Sequence, residues 1–223
     1  MKLPKRFSFI KYKKNRYEYN CDGECVKIPS VMYPLNNSPE IFCYENTELI
    51  TDEKIVEIID SVPYKIGNCY SNTKYIVEEL IKNGIKAEPY VGWLINGNSL
   101  PTHHAWLVIK KKYLVDISDD FDCFLFNINR MKNEGEIIDE NNMKELLKEF
   151  MAESVKHKNS ERCHLGRASI GNLYIGCKCQ VEMGVKIFNN LIEKYPNHPC
   201  LVKGTDDMGR TPLQRELDDI GVL

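Results

Sequence analysis

Between Gly67 and Asp116 the spacing of apolar residues changes from helical to strand-like, and that change sets the fold class. After Cys69, Thr73, Ile76, Val77, Leu80 and Ile81 recur at helical spacing, and Asn83-Gly84 supplies a left-handed stop. Residues 86–95 read as a strand carrying Tyr90, Val91, Trp93 and Ile95, followed by a polar loop at Asn96–Thr102. Residues 103–109 and 113–117 read as two further strands around a Lys110–Lys112 turn, which makes a hairpin. The expected class is α+β, an antiparallel sheet packed on the helix that begins at Cys69.

The same stretch holds a thiol, an imidazole and a carboxylate in order. A thiol nucleophile needs a base to take its proton, and the base needs an acceptor to fix its tautomer. Cys69 at a helix N-terminus is favoured as thiolate by unpaired backbone N–H groups and the helix dipole. Gly67 permits the tight turn that presents it, and the Cys69 N–H with the Asn68 side chain are candidate oxyanion donors. Strand parity selects the partners. If Ile109 pairs with Tyr113 across a three-residue turn, Trp106 faces Asp116 and His104 lies diagonal to Asp116 on one face. A two-residue turn would put Asp119 in that place instead. His103 competes for the role of base, but it lies on the strand face away from Trp106 and Asp116. Trp106 borders the site as a candidate substrate contact, although Trp93 and Trp106 read first as core aromatics.

The run Gly67-Asn68-Cys69-Tyr70, the helix, Gly84-Ile85-Lys86-Ala87, Val91-Gly92-Trp93, His104-Ala105-Trp106 and Leu114-Val115-Asp116 resembles the transglutaminase-like core of the papain-like superfamily. The likeness covers residues 67–116. It departs from the family at Lys86, where proline is usual, at Leu107, where an acidic residue commonly follows the tryptophan, and in the short His-to-Asp hairpin. It implies Cys69 as nucleophile, His104 as general base and acid, and Asp116 as the residue that orients it. The activity implied is a thiol-dependent hydrolase or acyl transferase acting on peptide or carboxamide bonds through a thioester, with hydrolysis preferred over transglutamination. The alternative is a transglutaminase-like fold kept as a binding module for a protein partner.

The chain has 223 residues, a net charge of −2 and 28% charged residues, the composition of an ordinary globular protein. That balance gives no argument for nucleic acid, so the expected partner is a protein or peptide substrate. The stretch from Lys2 to Arg16 is basic with no acid, and reads as a solvated, interrupted strand with Phe7, Phe9 and Tyr12 inward. No secretory leader and no membrane span are read from the sequence. Nine cysteines without a leader point to free thiols in a reducing, cytoplasmic setting.

Residues 1–50 read as irregular with short strands, followed by a helix capped at Thr51 and ended by Pro63. Asn142–Val155 reads as an amphipathic helix with Leu146, Leu147, Phe150 and Met151 inward, and Val181–Tyr195 as another. Residues 157–180 show no clear period. The expected division is an enzyme domain over 1–156 and a Cys-rich helical extension over 157–223. Cys21, Cys25 and Cys43, or Cys163, His164, Cys177, Cys179, His198 and Cys200, could supply zinc ligands, but neither set has paired C-x-x-C spacing. No metal and no cofactor is expected. The turn at Asp206–Leu213 resembles a single ankyrin unit, which cannot stack alone and reads as a capped terminal helix.

Overall fold

The computed structural model describes residues 3–8, 10–13, 16–21, 24–29, 39–65, 67–96, 101–118, 131, 134–137, 139–154, 156–162, 165–195, 198 and 200. Three N-terminal strands, β1 (Ile10–Lys13), β2 (Arg16–Cys21) and β3 (Glu24–Pro29), form an antiparallel meander. The remaining elements are β4 (Glu40–Cys43), α1 (Glu53–Ser61), α2 (Cys69–Lys82), β5 (Ala87–Asn96), β6 (Thr102–Ile109) and β7 (Tyr113–Val115). They are followed by α3 (Glu140–Ser154), α4 (Asn159–Arg162), β8 (Asn172–Lys178) and α5 (Val181–Lys194). The class is α+β. Among the described residues no helix is long and apolar enough to cross a membrane.

The second sheet has five antiparallel strands in the order β4-β8-β5-β6-β7. β8 therefore lies inside the sheet, between β4 and β5. The boundary expected at residue 156 does not follow the sheet, which takes an inner strand from beyond it. The reason that strand escaped notice is its burial. Asn172–Cys177 is buried residue after residue, so it shows no polar–apolar alternation, and Gly176 interrupts the apolar run.

One face of this sheet carries Ala87, Trp93, Ile95, Leu107, Ile109 and Ile175. Ile55 and Ile59 of α1, Ile76 and Leu80 of α2, and Leu191 of α5 pack on it. The other face carries Phe42, Tyr90, Leu94, Trp106, Val108, Leu114 and Tyr174. Here Trp106 stacks on Tyr90 at 6.1 Å and meets Tyr174 edge-on at 5.2 Å. Its ring occupies the space above Gly176, where a Cβ would come within 2.4 Å of the indole.

α1 begins one residue later than expected. Asp52 rather than Thr51 is the N-cap, without a side-chain cap bond, and the helix ends at Ser61, with Val62 as its C-cap before Pro63. α2 ends as expected, with Gly84 at φ +76 and its N–H donating to the Ile81 carbonyl. Leu147 is the fully buried residue of α3. In the N-terminal segment Phe7 is buried as expected, while Phe9 lies outside the described residues.

Candidate active site

Cys69 is the first residue of α2, and local chemistry holds it there. Gly67 adopts φ +64, which turns the chain into the helix. Asn68 is the N-cap, its side-chain oxygen accepting the Ser71 N–H at 3.3 Å. The Cys69 N–H sits in the first turn, where no carbonyl one turn earlier exists to accept it. Asn72 then ties this turn to its surroundings. Its Nδ2 donates to the Lys65 carbonyl at 2.8 Å and to Ser118 Oγ at 2.9 Å, and its Oδ1 accepts the Lys65 N–H at 3.0 Å.

The hairpin register settles which carboxylate faces the imidazole. Ile109 pairs with Tyr113 and Leu107 with Val115, so three residues, Lys110–Lys112, form the turn. Lys110 and Lys111 both have positive φ, 52 and 61, and the Lys112 N–H donates to the Ile109 carbonyl. This is the turn backbone that matches strand twist, with Lys112 as one extra residue before pairing resumes. In that register His104 and Asp116 share a face. His104 Nε2 lies 2.7 Å from Asp116 Oδ2, and each side chain is 3% exposed. The alternative carboxylate, Asp119, lies outside the described residues.

β7 ends at Val115, opposite Leu107, so the part of β6 carrying His104 has no ladder partner on that side among the described residues. The N-terminus of α2 comes in there. Cys69 lies near enough to the His104 ring to favour its charged form. Burial pushes the His104 imidazole toward its neutral form. The carboxylate of Asp116, hydrogen-bonded to the ring, together with the nearby Cys69, outweighs burial and holds its pKa well above the ordinary value.

Asp116 is itself fully engaged. Its Oδ1 accepts the Ser118 N–H at 3.1 Å, and its Oδ2 accepts both His104 and the Tyr174 hydroxyl, the latter at 2.9 Å. Tyr174 and Asn72 are the two residues that sequence reasoning missed. Asn72 left a signal, being a polar residue four before Ile76 on the apolar face of α2. Tyr174 left none, since its strand was not visible.

His103 points to the opposite face. It stacks on Phe188 at 4.2 Å and meets Trp93 edge-on at 5.2 Å, and its Nδ1 shares a hydrogen bond with the Tyr70 hydroxyl. Its Nε2 is buried with no partner among the described residues. Burial, reinforced by the positive His104, lowers its pKa to about 3. Trp106 requires a correction. It is 0% exposed in the aromatic cluster, so it presents no surface to a substrate and acts as core.

Among the described residues no group of three His, Cys, Asp or Glu is placed to hold a metal ion. Cys163 and His164 lie outside those residues. Cys177 and Cys179 are buried thiols, and burial pushes Cys177 up to about 12. The ankyrin-like turn also falls outside the described residues. No family model, no curated protein and no solved structure matches the chain.

Proposed function

We propose that the protein is a thiol-dependent hydrolase or acyl transferase built on a transglutaminase-like core. The observation that carries this is the buried His104–Asp116 hydrogen bond at 2.7 Å, with Cys69 at the start of α2 near the same ring. An imidazole held charged between a sulfur and a carboxylate favours the thiolate–imidazolium pair that such chemistry starts from.

In the proposed cycle the Cys69 thiolate attacks the carbonyl carbon of a carboxamide or peptide bond. The developing oxyanion is held by the Cys69 N–H and the Asn68 side-chain amide. His104 gives its proton to the departing amine, the C–N bond breaks and a thioester remains. Water or an amine then attacks the thioester while neutral His104 takes its proton. The C–S bond breaks, and the sulfur leaves as the thiolate. Asp116 stays ionised throughout and keeps the ring oriented.

The test is sub-stoichiometric iodoacetamide near pH 6, with mass spectrometry to locate the modified cysteine. Selective labelling of Cys69, lost in His104→Ala, is the expected result. Uniform slow labelling of all nine cysteines would remove the enzyme and leave a binding module. Ammonia release from a glutamine peptide without an added amine then separates hydrolysis from amine incorporation.

A further inference from the structure

We infer that Tyr174 is a positioning residue for this chemistry, its hydroxyl fixing the Asp116 carboxylate against His104; the inference rests on the reading just proposed. Tyr174 comes from β8, two strands away from the one that carries His104. It is 1% exposed. A buried tyrosine hydroxyl must find a partner, and this one takes the same carboxylate oxygen that accepts His104.

An sp² oxygen offers two lone pairs, and the imidazole and the phenol fill both. With Oδ1 on the Ser118 N–H, the carboxylate cannot rotate without breaking a bond at either end. The second donor also has an electronic effect. A phenol donating to Oδ2 draws charge from the oxygen that faces His104 and so weakens the pull of Asp116 on the imidazolium proton. Tyr174 thereby sets how firmly His104 holds the proton that it must later deliver to the leaving group. If Tyr174 acted only as a core aromatic, deleting its hydroxyl while keeping its ring would leave His104 unchanged.

The experiment follows the His104 ring by NMR titration in the wild type, in Tyr174→Phe, and with 3-fluorotyrosine placed at position 174. Tyr174→Phe should raise the His104 titration midpoint by roughly half a pH unit or more, and the alkaline limb of Cys69 alkylation should move with it. The fluorinated residue, a stronger donor of nearly the same size, should move both the other way and keeps the test informative if the phenylalanine variant folds poorly. A His104 midpoint unmoved in either folded variant overturns the inference. Failure of the proposed function looks different: Cys69 shows no selective alkylation in the wild type, while the substitutions still shift His104.

Discussion

His103 and His104 are neighbours in sequence, yet their surroundings drive them to opposite charge states. β6 turns successive side chains to opposite faces, so one residue of offset decides which face each ring meets. His103 enters a cage of Trp93, Phe188 and Tyr70, which offers it no anion, and burial leaves it neutral. His104 is buried as deeply, but Asp116 and the Cys69 sulfur make its charged form the favoured one. Burial alone therefore says nothing about the role of a histidine in a strand. What its two nitrogens meet decides it.

Identical substitutions at the two positions give the largest expected difference. His104→Phe should slow Cys69 alkylation near pH 6, and any amidase activity, by about 10²–10⁴-fold. His103→Phe keeps an aromatic ring between Trp93 and Phe188 and should change the same rate by less than roughly tenfold. Comparable losses at both positions would break the distinction.

The two rings should also tie stability to pH with opposite signs. The His103 pKa falls from 6.5 to about 3 on folding. The unfolded chain therefore takes up a proton below 6.5 that the folded chain refuses, and stability is lost as pH falls from 6.5 toward 3. Urea titrations should show His103→Phe relieved of roughly 2–3 kcal/mol of that loss between pH 6.5 and 4. The His104 pKa is raised, so its contribution is complete below the unfolded value and disappears as pH rises through the folded one. An acid-side loss unchanged in His103→Phe would show that the cage admits a proton.

Asn72 supports one histidine only. Asn72→Ala unties Lys65 from Ser118, the residue whose N–H holds Asp116. Stability should fall by about 2 kcal/mol in denaturant titration, with slower Cys69 alkylation, because buried partners lose their bonds. The His103–Tyr70 pair should keep its NMR signature. The smallest effect is a gain: Lys111→Gly relieves a left-handed lysine at φ 61 and should add about 0.5–1 kcal/mol, leaving both ring titrations unmoved.

The legible parts of the site were those fixed by local spacing. Cys69 stood at a helix start because its apolar face continued to Leu80, and His104 with Asp116 followed from parity once the turn length was fixed. The turn length itself was open, since Lys110-Lys111-Lys112 holds no glycine or asparagine to announce left-handed residues. β8 stayed hidden because a strand buried on both faces has no period to read. Tyr174 was hidden with it, and Trp106 was placed beside the site because nothing local showed that its ring turns over Gly176.

The interior position of β8 also governs the order in which the molecule can be assembled during synthesis. β5, β6 and β7 can pair as soon as they emerge, but among the described residues β4 meets the rest of the sheet through β8. Until residue 178 has left the ribosome, the β8 side of β5 is an open edge and Asp116 lacks its phenol. A nascent chain thus carries its thiol well before the Asp116 carboxylate has all its hydrogen-bond donors. Chaperone capture of chains halted before Asn172, and their release once β8 is present, would be the cellular trace of that late strand.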